Sequence, residues 1–521
     1  LCFTGPYLGV NTFLIDIPPM ALAESMLLWL YFTILAWLSL YGFHRCYLLY
    51  LYTKYRPLAS AVADVEVVAS RRTARGSDTP FVTIQLPIYN EMYVVDRLVD
   101  AVAGLDYPHD RLQIQVLDDS TDDTQRIARQ AVARAAAKGV DIQYLHRSHR
   151  TGFKAGALAD GLQDARGELV AVFDADFVPS VDFLCRMLHP FRDPGVGMVQ
   201  ARWGHINSDY SLLTRVQAML LDAHFVLEHG ARNRGGLFFN FNGTAGVWRR
   251  QAIESAGGWQ HDTLTEDLDL SYRAQLVGWR FVFLPDVVAP AELPVEMNGF
   301  KTQQHRWARG SIQTAFKILP TLFRAPVPFR VKLEGFFHLT ANLNHPLMMV
   351  LSVIMVPALL VRATMGSISV LLIDVPLFCA ATLSVVNFYA VSQRALRADW
   401  IVQMRYIPAV MAVGIGLSVN NTRAVLGART NRGTPFRRTA KYGVVHPGDE
   451  WLSKQYRGST IGQPLVELGF GIYFTVGVAC AVANNLFALL PFLMLFQFGF
   501  LYIGLQSLFQ QLANPCPVLR T

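Results

Sequence analysis

Charge is scarce in this chain. Of 521 residues, 16% are Asp, Glu, Lys or Arg and 52% are hydrophobic. A soluble protein carries about 25% charged residues, so a surface exposed wholly to water is excluded and part of the chain belongs in lipid. Patterned cysteine is missing too. Cys2, Cys46, Cys185, Cys379, Cys480 and Cys516 are scattered without disulfide-framework or metal-ligand spacing, which leaves them as packing residues. Repeats of roughly 20–50 residues and low-complexity tracts do not occur, so a solenoid is excluded. The net charge of +7 comes without a basic stripe interleaved with aromatics, which argues against nucleic acid. Such an excess fits cytoplasmic loops beside anionic headgroups. No basic stretch and cleavage site precede the first apolar run, so no signal peptide is read. The first residue is a leucine, and the natural start is expected upstream of it.

Long uncharged runs are present at both ends. Ser25 to Phe43 is long enough to cross a bilayer. Lys and Arg are absent before it, whereas Arg45, Lys54, Arg56, Arg71 and Arg72 follow, which places the residues after it in the cytoplasm. Later spans are read at Asn342 to Val361, Val375 to Val391, Leu465 to Ala483 and Leu486 to Leu508. Tyr406 to Asn421 is short, with Arg405 and Arg423 beside it. Crossing there would put the basic segment Arg423 to Arg457 outside, so it is read as interfacial. Ile312 to Arg324 is read as a second interfacial helix. The expectation is five spans, with the N-terminus outside and the C-terminus inside. Asp374 is expected at the end of a span rather than within it.

Between the membrane segments the pattern changes. Short apolar runs (FVTIQLPIY, RLQIQVLDD, ELVAVFDAD) alternate with helical stretches such as Gln125 to Lys138. This predicts parallel strands with a ligand crevice at their carboxyl ends. The acids collect there: Asp118-Asp119 after one strand, Asp174-x-Asp176 after another, and Thr265-Glu266-Asp267 ahead of a helix. Carboxylates so placed can hold a divalent metal together with a diphosphate, because Mg²⁺ takes one or two carboxylates and fills its shell with phosphate oxygens. Any one of them alone is more often a turn or a cap. Gln303-x-x-Arg306-Trp307 precedes the next membrane-directed segment. Arginine pairs with a diphosphate through two parallel bonds, and an indole face can cover a sugar ring. Alone, the pair reads more readily as an interfacial Trp beside a snorkelling Arg.

Taken in order, Asp118-Asp119, Lys154-Ala155-Gly156, Asp174-Ala175-Asp176, Thr265-Glu266-Asp267 and Gln303-x-x-Arg306-Trp307 resemble the motifs of processive family 2 glycosyltransferases, the cellulose synthase superfamily. The likeness runs from about Val82 to Trp307. The wording QVLDDSTDDT, FKAGAL, VQARWGHINSD, NGTAGVWR and QQHRW is similar to plant cellulose-synthase-like mannan and glucan synthases. The resemblance implies an α/β GT-A-type cytoplasmic glycosyltransferase domain inserted in an α-helical transmembrane domain. The expected divisions are 1–60 with a span, 80–310 catalytic, 311–421 with interfacial helices and two spans, 422–460 a gating-like loop, and 461–521 with two spans.

Residue by residue, the resemblance implies that Asp118 and Asp119 contact the nucleotide, and that Asp174 and Asp176 hold it with Mg²⁺ or Mn²⁺. Pro87, Tyr89 and Glu91 would line the base pocket, and Lys154 would lie beside the nucleotide. Asp267, with Thr265 and Glu266, matches the catalytic base. Asn242, Gly243 and Thr244 fall near the acceptor. Gln303, Arg306 and Trp307 match the acceptor and diphosphate motif. Phe436, Thr439 and Lys441 match a loop that covers bound nucleotide, with Arg438 standing where the family usually has valine. The implied activity is inverting transfer of a hexose to a growing β-linked, 1,4 glucan or mannan that moves through the membrane. UDP-glucose is the favoured donor and GDP-mannose the other. Expected partners are the nucleotide-sugar, the nascent chain and the lipid, in a plasma or inner membrane, or the Golgi of a eukaryote. No PilZ-type regulatory domain is expected after the last span. The alternative is transfer of one sugar to a ceramide or polyprenyl-phosphate lipid. A non-catalytic scaffold would be expected to have lost one of the acids.

Overall fold

The computed structural model describes residues 22–73, 79–364, 375–429, 438–456 and 462–512. The β-branched and aliphatic runs that follow Pro80 form one seven-stranded sheet, in which the alternating Val, Ile and Leu of β1 and β2 line one core-facing side. The strands are β1 (Val82–Ile88), β2 (Leu112–Asp118), β3 (Ile142–His146), β4 (Leu169–Val172), β5 (Val196–His205), β6 (Gly246–Arg249) and β7 (Arg280–Ala291), in the order β3-β2-β1-β4-β6-β5-β7. Helices Val95–Ala103, Thr124–Ala137 and Phe153–Gln163 connect the first four strands.

The expectation of parallel strands holds for β1 through β4 and for β5 with β7, but β6 runs antiparallel to both β4 and β5. That reversal builds the site. Val172 at the end of β4 pairs with Gly246 at the start of β6, so the residues leaving β4 (Asp174, Asp176) lie beside those entering β6 (Asn242, Gly243, Thr244).

β1 and β2 are buried along their whole length despite polar residues at alternate positions. The polar side chains pair with one another across the strands. Thr83 Oγ1 donates to Gln113 Oε1 at 2.9 Å, and Gln85 Nε2 to Gln115 Oε1 at 3.0 Å. Burying these groups would otherwise cost free energy.

Among the described residues four helices are long and apolar enough to cross a membrane: Leu22–Tyr55, Phe329–Arg362, Gly462–Ala483 and Phe487–Leu512. The segment expected to be interfacial is a pair of helices, Trp400–Gly416 and Ser418–Gly427, bent by 41°, which would make a fifth if it is one broken span. The expected span Val375 to Val391 lies in helix Val375–Leu396, which packs against the first helix but is not among those four. Asp374 and Phe436 lie outside the described residues.

One expectation is corrected. Ile312 to Arg324 is not a separate helix following the Gln303 motif; it is the second half of a single helix, Met297–Arg324, and Gln303, Arg306 and Trp307 stand on its first half. The helix passes through Gly310 because that glycine fits tightly against Thr265: a Cβ there would lie 2.6 Å from Thr265 Cγ2. The same helix is tied to the membrane helices by a buried ion pair. Lys301 Nζ lies 2.7 Å from the Glu467 carboxylate and also donates to Ser507 at 3.3 Å. Breaking such a pair strands a buried charge at a cost of about 3–5 kcal/mol, whereas replacing both partners by apolar groups is often neutral. Lys301→Met is therefore expected to lower the melting temperature in detergent, and Lys301→Met with Glu467→Leu to recover most of the loss. An equal loss in single and double variants would count against the pair.

Candidate active site

The carboxyl ends of β1, β2 and β4, the turn before β6, the start of helix Glu266–Leu276 and the helix Met297–Arg324 surround a cleft open to solvent. Of the expected residues, Pro87, Tyr89, Glu91, Asp119, Lys154, Asp174, Asp176, Asn242, Gly243, Thr265, Glu266, Asp267, Gln303, Arg306, Trp307, Thr439 and Lys441 line it.

Two do not. Asp118 is fully buried; it accepts the Tyr144 hydroxyl at 2.5 Å and the Ser120 N–H at 2.9 Å. Its expected nucleotide contact is replaced by a structural role, holding the β2–β3 edge, because its side chain points into the sheet. Thr244 is fully buried as well, and its hydroxyl accepts the Asp174 N–H at 2.9 Å, which fixes the Asp-x-Asp turn. Thr265 lines the cavity, but its hydroxyl lies 3.2 Å from that of Thr314 on the Met297–Arg324 helix. It locks the Glu266-Asp267 turn onto the helix that carries Arg306 and Trp307.

The electrostatics are those of a tight charge cluster. Lys154 forms an ion pair with Asp174 and donates to the Gly243 carbonyl at 2.9 Å. Burial works against its charge, yet Asp174, Glu266 and Asp267 raise it above the ordinary lysine value. Lys441 lies 2.7 Å from Asp176. Burial pushes Asp267 up to about 7, helped by the Glu266 charge and opposed by Lys154 and Arg306. A carboxyl poised near neutrality, in a cleft, suits proton transfer.

Gly243 adopts a positive φ of 81°, and a Cβ there would meet Asp267 Oδ2 at 3.0 Å. Gly243→Ala is therefore expected to strain this turn, displace Asp267 and lower turnover at least tenfold with little change in fold, read by kcat alongside a circular-dichroism melt. Unchanged kcat would show that the turn has slack.

Asp174 and Asp176 fit a divalent cation. Their carboxylates line the cavity, paired with Lys154 and Lys441 respectively, and both add to the shift of Glu91, which burial pushes up to about 7 against the opposing charge of Arg438. Among the described residues no three His, Cys, Asp or Glu are arranged as a closed metal cage.

Sequence reasoning passed over several residues. Arg147 grips Asp119 with two bonds of 2.7 and 2.6 Å, and Arg150 stacks 3.3 Å from the centre of the Tyr89 ring. Glu292, just past β7, accepts the N–H groups of Tyr442 (2.8 Å) and Gly443 (3.0 Å) and so pins the Arg438–Gly443 strand of chain over the cavity. A single glutamate in PAELP carries no local signal of this. His224 begins a π-helical turn, His224–His229. Its Nδ1 lies 2.8 Å from Glu228 and its Nε2 2.9 Å from Asn242 Nδ2. Although burial opposes it, Arg232 and His224 hold Glu228 well below the usual carboxylate range. His224 thus bridges the Glu228 carboxylate and the Asn242 amide at the cavity wall. Only an i, i+4 His–Glu spacing hinted at this.

Residues 80–310 match the family model described as glycosyltransferase like family 2. The chain is 46% identical over 254 residues to glucomannan 4-beta-mannosyltransferase 2 of Arabidopsis thaliana, covering 48% of this chain and 47% of that protein. It is 39% identical over 326 residues to glucomannan 4-beta-mannosyltransferase 1 of Cyamopsis tetragonoloba, covering 61% of each. The chain spans about half the length of the curated relatives it matches. A solved structure, mannosyltransferase PcManGT from Pyrobaculum calidifontis in complex with GDP-Man and Mn2+, is 20% identical and covers 73% of this chain and 99% of that one at a TM-score of 0.43.

Proposed function

We propose that this protein is a membrane-embedded polysaccharide synthase with a family 2 glycosyltransferase domain across residues 80–310 as its catalytic part. In this reading it transfers mannose from GDP-mannose to the end of a β-1,4-linked mannan or glucomannan and passes the product into the membrane domain. The observation that carries the reading is a single cavity that joins an acidic nucleotide end (Asp119, Asp174, Asp176), a carboxyl poised near neutrality (Asp267) and a helix bearing Gln303, Arg306 and Trp307. Of the two donors open from the sequence, the relatives named as mannosyltransferases favour the mannosyl one over UDP-glucose.

In this mechanism Asp267 removes the proton from the acceptor hydroxyl as that oxygen attacks the anomeric carbon. The bond to the nucleoside diphosphate breaks on the opposite face, which converts an α-linked donor into a β-linked product without a covalent intermediate. Arg306 and Lys154 balance charge growing on the diphosphate. Asp174 and Asp176 would hold Mg²⁺ or Mn²⁺, which supplies Lewis-acid stabilisation of the leaving group. Trp307 offers its ring to the terminal sugar, and the helix it stands on leads to the membrane helices through Lys301. The basic residues that follow the first helix support a cytoplasmic catalytic domain.

The test is radiolabel incorporation by the purified protein, offered GDP-mannose and UDP-glucose separately with Mn²⁺. High-molecular-weight product from GDP-mannose is the expected result. Polymer from UDP-glucose alone would move the sugar, and a lipid-soluble monoglycoside as sole product would replace the polymerase with single transfer to lipid.

A further inference from the structure

The strand of chain over the cavity contributes two cations that face different ends of it. Lys441 pairs with Asp176, beyond β4. Three residues earlier, Arg438 sits at the other end, among residues that follow β1 and β2. Its guanidinium carbon lies 3.9 Å above the Tyr456 ring, and the Tyr456 hydroxyl donates to Asp122. Its charge acts on Glu91. Since β4, β1 and β2 are neighbours in that order, a nucleotide whose diphosphate lies at Asp174 and Asp176 extends its base toward Tyr89, Glu91 and Arg438.

Both terminal nitrogens of Arg438 are buried, with no hydrogen-bond partner among the described residues. Guanidinium donors left this way are costly, and on a residue that lines the ligand cavity they call for an acceptor. Arginine's fixed fork matches two adjacent acceptors, and among the bases the guanine edge with O6 and N7 offers them. Adenine places an amino donor beside N7, and uracil offers one carbonyl on the corresponding edge.

We propose that Arg438 reads the base of the donor nucleotide, donating its two terminal N–H groups to O6 and N7 of guanine. This rests on the glycosyltransferase reading of the cavity and deepens it: Arg438 selects a guanine nucleotide over a uracil one, and the neighbouring Tyr456 ring and Glu91 hold the guanidinium plane in place. A valine at this position could close over a nucleotide but could not discriminate its base.

The test needs no turnover. Dissociation constants of GDP, inosine diphosphate, ADP and UDP are measured with Mn²⁺ by calorimetry on the full chain, for the native protein, Arg438→Val and Arg438→Lys. The native protein is expected to bind GDP and inosine diphosphate alike, since both carry O6 and N7, and both more tightly than ADP or UDP. Arg438→Val is expected to weaken GDP and inosine diphosphate by about ten- to a hundredfold and leave UDP unchanged. Arg438→Lys keeps the charge but not the fork, so it should lose the same preference, and it serves as the folded comparison if the valine variant melts early. An equal weakening of all four nucleotides would place the guanidinium on the diphosphate and overturn the proposal, as would tighter native binding of UDP than of GDP. Guanine-selective binding without sugar incorporation from any donor would instead sink the glycosyltransferase reading and leave Arg438's role standing.

Discussion

Asp267→Asn is expected to lower sugar incorporation by about 10²–10⁴-fold, the usual contribution of a positioned general base, while leaving nucleotide affinity close to native. Asn has the shape of Asp but cannot take a proton, so the change isolates the chemical step. The same residue predicts a pH profile. A base works deprotonated, and burial followed by the Glu266 charge has raised Asp267 to about 7. Thus kcat/KM should be low at pH 5, rise through about 7, and level off above it. Removing the Glu266 charge as Glu266→Gln takes away the second cause of the shift, so the acid limb should move to lower pH. Glu91 also titrates near 7, but its causes do not include Glu266, so a limb that stays in place in Glu266→Gln would assign it to another group. Residual activity of Asp267→Asn at a tenth of native or more would remove Asp267 from the role of base.

Arg306→Gln is expected to be the next most damaging change, costing about 10²–10³ in kcat, comparable to the loss of one preorganised donor at a site of developing charge. Arg306 stands one residue before Trp307 on the Met297–Arg324 helix and lines the same cavity as Asp174 and Asp267. Its charge already acts on Asp267. Because the diphosphate becomes more negative as it leaves, the loss should fall on kcat far more than on KM. A variant that raises KM alone would show Arg306 holding the ground-state donor instead.

The acids were legible because chemistry demands them in a pattern: Asp174-x-Asp176 after an apolar run, and Asp267 at a helix start, each fit one role in a crevice at strand ends. The sheet was legible from its apolar runs, though Gln85 and Gln115 look like one exposed face of a half-buried strand. They are buried with one hydrogen bond between them across parallel strands, a fact that neither run contains alone. Asp118 and Asp119 read as a pair with one role. The pleat sends consecutive side chains in opposite directions, so one enters the sheet and the other the cavity. Gln303 to Trp307 was expected ahead of a membrane-directed helix, whereas it stands on the first half of that helix, which runs on through Gly310 packed against Thr265.

Glu292 is the clearest case beyond the reach of sequence. It lies about 150 positions from the backbone groups it binds, and no spacing rule connects them. His224 and Glu228 are similar: their role follows from a π-helical turn and from Arg232 fixing the charge on Glu228. By itself the sequence determined which segments favour lipid, which favour a sheet, and which acids and cations are available for chemistry, since hydropathy and charge are properties of short stretches. Only the tertiary structure decided which of them meet. The antiparallel insertion of β6 beside β4 brought Gly243 to Asp267 and Thr244 to Asp174, and the clamp of Glu292 on a distant strand of chain aimed Arg438 at one end of the cavity and Lys441 at the other. Those contacts join parts of the chain far apart in sequence, and they exist because burying one shared core fixes where each part must lie.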